Sequence, residues 1–194
     1  MDENAYKLRE RTRELHKEGK YEEELDVLEK LLEIEPDNPK LYINKGNAHY
    51  YQRKYESALE NYNKALELDL YNPWIYNNRG NVFEAQNKLS EAVDEYSKSI
   101  ELDSNIAGIY INRGMVYAQL DEVDKAIEDF SKAIELDPEY ANSYNHRGRA
   151  YQQKGLLREA AEDFNRYLEM NDDNYGDAEE FREYIRGMGF TPKY

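Results

Sequence analysis

Between Pro39 and Asn72 apolar positions recur at helical spacing in two consecutive stretches. The first carries Tyr42, Gly46 and His49 on one stripe, and the second carries Tyr55, Ala58, Leu59, Tyr62, Ala65, Leu66 and Leu68. A period near 3.6 residues in each stretch predicts two antiparallel amphipathic helices. The pattern breaks over Gln52 to Lys54, which predicts the turn between them. Asn38-Pro39 and Asn72-Pro73 predict helix starts, because the amide side chain can cap the first turn and proline suits a first-turn position that needs no N–H.

The same pattern returns every 34 residues, marked by Gly46, Gly80, Gly114 and Gly148 in similar frames such as Tyr-Ile-Asn-Lys-Gly and Tyr-Asn-Asn-Arg-Gly. The units are 39–72, 73–106, 107–140 and 141–174. A fifth, degenerate one at 5–38 keeps Leu8, Leu15, Gly19, Tyr21, Leu28, Leu31 and Pro36, but has Thr12 for the glycine and Glu24 for an alanine. A helix pair of this size cannot bury its apolar stripe alone, so neighbouring pairs must stack. Over 175–194 the apolar positions Ala178, Phe181, Tyr184 and Ile185 predict one more helix, stopped by Gly187 and Gly189, that caps the last pair. Residues 190–194 carry no pattern and are expected to be loosely held.

The order of aromatic, small residue, aromatic, alanine, aromatic, alanine and proline resembles the tetratricopeptide repeat (TPR). The unit at 107–140 fits best, with Tyr110, Gly114, Tyr117, Ala126, Phe130, Ala133 and Pro138. The resemblance covers about nine tenths of the chain and implies an all-α fold: a right-handed α-solenoid of five TPR helix-turn-helix units plus a C-terminal capping helix. The glycines and the alanines Ala58, Ala92, Ala126 and Ala160 fall where paired helices approach closely, which is a physical reason for them to be small. One departure is systematic. Lys45, Arg79, Arg113 and Arg147 precede the glycines, and sixteen residues later stand Asn61, Glu95, Asp129 and Asp163. Three of the four units therefore predict an arginine–carboxylate pair between their two helices.

Composition narrows the class of function. The 194 residues include no cysteine, so the chain has neither disulfides nor a thiolate site, and the net charge is −15. Affinity for phosphate backbones comes chiefly from clustered Lys and Arg, so nucleic acid is not an expected partner. No apolar run approaches membrane-spanning length and no secretory signal opens the chain, so a cytoplasmic location is expected and a membrane partner is not. His16, His49 and His146 stand far apart in sequence, without metal-ligand spacing, a phosphate loop or a nucleophile elbow. A non-enzymatic protein without cofactor or metal is the expectation.

In solenoids of the family the first helix of each pair lines the concave groove. Acidity in this chain gathers in the second-helix halves, leaving the first-helix halves net positive. A partner held in the groove is therefore expected to be neutral or acidic rather than basic. The positions two before each glycine are Asn44, Asn78, Asn112 and His146, and those one after are Asn47, Asn81, Met115 and Arg149. Primary amides at such spacing can meet both the N–H and the C=O of an extended peptide. The row is similar to the asparagine array of the superhelical TPR domain of O-GlcNAc transferases, which implies a backbone-gripping mode. Tyr50, Tyr51 and Trp74 lie off the packing stripes and would add aromatic contacts. The Lys, Asn and Arg clamp by which other TPR domains hold chaperone C-terminal carboxylates is not complete in any window of three repeats. The expected function is a protein–protein interaction adaptor, monomeric, binding an extended peptide. The alternative is a self-associating scaffold with an empty groove.

Overall fold

A computed structural model describes residues 3–171 and 178–193. Among the described residues there are eleven α-helices and no strand: α1 Glu3–Lys17, α2 Tyr21–Ile34, α3 Pro39–Tyr51, α4 Tyr55–Leu68, α5 Pro73–Ala85, α6 Leu89–Leu102, α7 Ala107–Gln119, α8 Val123–Leu136, α9 Ala141–Gln153, α10 Leu157–Met170 and α11 Ala178–Gly187. The end of the expected fifth unit, 172–174, and the expected start of the cap, 175–177, lie outside the described residues, as does Tyr194. No described helix is long and apolar enough to cross a membrane. The chain forms two compact units, residues 1–102 and 103–194.

In the first unit α1 to α6 pack as consecutive neighbours. Asn38 and Asn72 cap α3 and α5 by accepting from the backbone N–H of Lys40 and Trp74, each at 3.1 Å. Ala58, Ala65 and Ala92 are fully buried, where they let the helices close on one another. A Cβ on Gly80 would stand 2.6 Å from the ring of Tyr96, and one on Gly46 would collide with Tyr62, so these positions admit no larger residue. The first pair escapes that limit, because the residue sixteen after Thr12 is Leu28 instead of a ring. Thr12 is buried and its hydroxyl donates to the Leu8 carbonyl at 3.0 Å. Glu24, in the alanine position, is also buried and lies 3.0 Å from His16 Nδ1. The degenerate unit thus keeps the helix pair and replaces two small residues by polar ones that have partners.

The second unit repeats the arrangement in α7 to α10 and adds α11. Phe181 and Ile185 of α11 pack on Ala161, Phe164 and Leu168 of α10. The C-terminal stretch is better held than its sequence suggests. Gly189 takes φ +86°, Phe190 N–H returns to the Ile185 carbonyl at 3.1 Å, and Lys193 N–H donates to Asn165 Oδ1 at 2.8 Å. Phe190 packs on the same apolar cluster, so these residues cover α10 and do not trail from it.

The repeated cation behaves as its spacing predicts in three units. Arg113 and Arg147 each make two 2.8 Å bonds to Asp129 and Asp163. Each guanidinium also lies against two tyrosine rings, Tyr110 and Tyr117 or Tyr144 and Tyr151, 5.6 to 5.9 Å from the centroids. Arg79 reaches Glu95 through a single 3.1 Å bond. Lys45, whose own second helix offers only Asn61, pairs backward with Glu29 of α2. Asn61 instead donates to the Ser57 carbonyl at 2.8 Å.

Candidate functional site

In the first unit the proposed asparagines do not stand separately. The buried Tyr62 hydroxyl donates to Asn47 Oδ1 at 2.7 Å, Asn78 Nδ2 donates to the same oxygen at 3.1 Å, and Asn77 Nδ2 donates to Asn78 Oδ1 at 3.3 Å. The result is a row of amides running from α3 to α5 and anchored on a core tyrosine. One repeat on, Tyr96 donates to Asn81 Oδ1 at 2.7 Å and lies 3.0 Å from Glu84 Oε2. Burial pushes both tyrosine hydroxyls far above their ordinary pKa, so they remain proton donors at all physiological pH. Each amide has two donor hydrogens and two acceptor lone pairs. Asn47 Oδ1 is already filled by two donors, so what Asn47 itself can offer a ligand is its amide hydrogens.

Asn44, a turn before Asn47, is half-buried and makes no hydrogen bond among the described residues. It lines a cavity of about 250 Å³ with Thr12, Arg13, His16, Lys17, Glu24 and Asn47. It also lines a second cavity, of about 160 Å³, with Arg9, Arg13, Asn38 and Leu41. Two cations of that cluster are already compensated, Arg9 by Glu35 and Arg13 by Glu10. Burial pushes the Glu24 carboxyl up, and its bond to His16 pulls in the opposite direction.

The aromatic candidates divide. Tyr51 is 53% exposed and stacks in parallel on Tyr21 at 5.3 Å, with His16 edge-on to both rings. Tyr50 is half-buried and meets Tyr51 edge-on at 5.5 Å. Trp74 is 52% exposed at the start of α5. Tyr21 was not among the residues expected at the site. Its place in the ledge comes from the turn between α1 and α2 lying beside the end of α3, which no spacing within one repeat reveals.

In the second unit the corresponding positions differ. Asn112 is half-buried and has an interaction partner within the protein, and it shares a cavity of about 250 Å³ with Ile111, Asp137 and Tyr140. Met115 is half-buried. His146 lays its ring on Phe130 at 5.5 Å and 19°, and burial, with the charge of Arg149, pushes its pKa down. A neutral imidazole using one face on a core ring is a poorer ladder rung than an amide. Arg149 is exposed, with Nε donating to Asn145 Oδ1 at 3.0 Å.

Comparison with known proteins agrees with this geometry. Structures of MamA are similar, one at 26% identity with a TM-score of 0.72, covering 88% of this chain and 93% of that one. PilW, a widely conserved type IV pilus biogenesis factor, has the same fold at 17% identity and a TM-score of 0.82, with 97% and 87% of the two chains covered. YrrB, described as a TPR protein with an unusual peptide-binding site, matches in fold at 23% identity and a TM-score of 0.66, over 84% of each chain. No curated protein sequence matches. Models of the TPR repeat match residues 13–52, 46–87, 80–121 and 114–155, and a tetratricopeptide repeat model matches 141–174. With the glycine frame, the paired helices and these matches in agreement, the chain belongs to the tetratricopeptide repeat family, whose members serve in protein interaction.

Proposed function

We propose that the chain is a non-enzymatic adaptor that holds an extended polypeptide segment on its first helices through side-chain amides, Asn44 and Asn78 in the first unit and Asn112 in the second. The observation that carries this reading is the row Asn77–Asn78–Asn47 on Tyr62. Amides fixed in advance lose little freedom on binding, so more of each hydrogen bond appears as affinity. Tyr51 and Trp74 add exposed ring surface in the same unit. A peptide, the ligand class named for YrrB, is the class proposed for this chain, with a neutral or acidic segment favoured by the charge of the first helices.

The test is to select a ligand from an unbiased peptide array with the full chain and then titrate Asn44→Ala and the Asn44, Asn78 and Asn112 triple alanine variant. Each lost bond is worth about 0.5 to 1.5 kcal/mol, so the triple variant is expected to bind on the order of ten to a thousandfold more weakly. Asn44→Ala removes no internal bond and tests the reading without risk to the fold. Affinity unchanged in both variants sinks the proposal.

Self-association is the second reading, and one observation favours it. Leu70 and Tyr71, in the loop between α4 and α5, are 55% and 77% exposed, and Leu68 beside them is also exposed. Light scattering separates the two: a concentration-dependent dimer that binds no array peptide supports the scaffold, and a monomer that binds one supports the adaptor.

A further inference from the structure

In the last helix pair two positions depart from the pattern of the first unit, and a pocket lies beside them. In the first unit a buried tyrosine reaches the asparagine fifteen residues before it, Tyr62 to Asn47 and Tyr96 to Asn81. The same positions in the pair α9 and α10 hold Phe164 and Arg149. Phenylalanine has no hydroxyl to draw the residue above it inward, and Arg149 stays in solvent. A cavity of about 120 Å³ lies between them, lined by Arg149, Phe164, Phe181 and Tyr184.

Its floor is aromatic. Phe164 and Phe181 are buried, with ring centroids 5.6 Å apart, and Tyr184 meets Phe164 edge-on at 5.5 Å. Its rim is a fixed cation. The bond from Nε to Asn145 Oδ1 orients the guanidinium of Arg149 and leaves its terminal nitrogens available, and no carboxylate among the described residues pairs with it. Arg147, two residues earlier, is bonded twice to Asp163.

We propose that this pocket receives an apolar side chain flanked by a carboxylate, in an acidic segment of a partner polypeptide. The rings take the side chain, and the planar fork of Arg149 takes the carboxylate, which it can bind through two parallel bonds. A basic segment is repelled at the rim. The proposal takes its ligand class from the adaptor reading but does not depend on the asparagines.

The experiment uses the full chain labelled with nitrogen-15 and two probes, acetyl-Glu-Leu-Glu-Phe-Glu-amide and its counterpart with glutamine in place of each glutamate. The acidic peptide is expected to shift the Arg149 Nε–H signal and the amides of Phe181 and Tyr184 in a saturable way. Its affinity should fall roughly tenfold to a hundredfold in Arg149→Gln, and should weaken with added salt. Because Arg149 is exposed, the spectrum of that variant should otherwise match the parent. Equal binding of the glutamine peptide, unchanged affinity in Arg149→Gln, or no shift at these residues overturns the pocket. Asn44→Ala distinguishes the two readings. If it abolishes array-peptide binding while Arg149→Gln changes nothing, the pocket fails and the adaptor reading stands. If Arg149→Gln alone weakens the acidic peptide, the pocket stands even where the asparagine ladder fails.

Discussion

Tyr62 donates its hydroxyl proton to Asn47 Oδ1 across 2.7 Å, and Tyr96 repeats the contact with Asn81 at the same distance. Where the ring is phenylalanine, at Phe130 and Phe164, the partner position holds Met115 and Arg149. The asparagine one after the glycine therefore answers a need of the core as well as any ligand.

The two halves of that contact differ in their expected cost. Tyr62→Phe keeps a shape the fold already accepts at Phe130 and should lose about 0.5 to 1.5 kcal/mol. Asn47→Ala leaves a buried hydroxyl without an acceptor and should cost about 1 to 3 kcal/mol. The double variant should lose less than the two single costs together. Urea unfolding of the four proteins checks the order, and additive losses would show the two residues to be uncoupled.

Glu95 is one methylene longer than the aspartates at the equivalent places and makes one bond to Arg79 where they make two. Arg79 Nε and Glu95 Oε2 are buried without hydrogen-bond partners. Glu95→Asp should restore the fork and raise stability by about 1 kcal/mol. A lowered unfolding midpoint would refute this account of the mismatch.

The turns within the helix pairs place one residue in the left-handed region. Gly19 and Gly155 suit it, whereas Arg53, Asn87 and Asp121 hold φ near +60° with side chains attached. Arg53 is exposed, and its side chain bonds to nothing among the described residues. Arg53→Gly should gain about 1 kcal/mol by relieving the clash with its own backbone, against a smaller loss from the freer unfolded chain. Calorimetry should show a raised Tm, and a fall would mean that the entropy term prevails.

Glu24 should leave a signature in pH. Burial raises its carboxyl above the ordinary range, and the bond to His16 pulls it back only in part. The folded state thus holds this proton more tightly than the unfolded chain does. The stability it contributes is complete below the unfolded pKa and is lost as pH rises through the raised folded value. Arg13, Lys17 and His16 share its cavity, so the comparison is made against Glu24→Gln in otherwise unchanged protein. Relative to that variant, the parent should lose stability from about pH 4.5 upward until Glu24 is fully ionised, and then run parallel to it. A constant difference across that window would show that Glu24 is not held in this way.

The helix pairs were legible in the sequence because their causes are local. Gly46 to Gly148 recur under a ring sixteen residues away, Asn38 and Asn72 cap the helices they precede, and the arginine–carboxylate pairs keep one offset. Contacts that depend on side-chain identity across a pair were harder to see. The tie between Asn47 and Tyr62 had a signal, the exchange of Tyr with Phe alongside Asn with Met or Arg, but only a comparison of repeats reveals it. His146 shares a register with three asparagines, yet it turns onto Phe130, because an aromatic ring gains more from stacking than an amide does. The grip of Asn165 on Lys193 joins backbone to side chain, and no periodicity marks such a bond.

Lys45 finds its acid behind it, in Glu29, whereas Arg79, Arg113 and Arg147 find theirs sixteen residues ahead. A ribosome makes the chain from the N-terminus, and its early segments fold before the later ones exist. The partner of Lys45 is already in place when Lys45 emerges, so α3 can join the first helix pair before α4 has been made. Each of the three arginines must wait for the second helix of its own pair. The degenerate first pair, least faithful to the repeat, is thereby the one on which the growing array can begin to assemble.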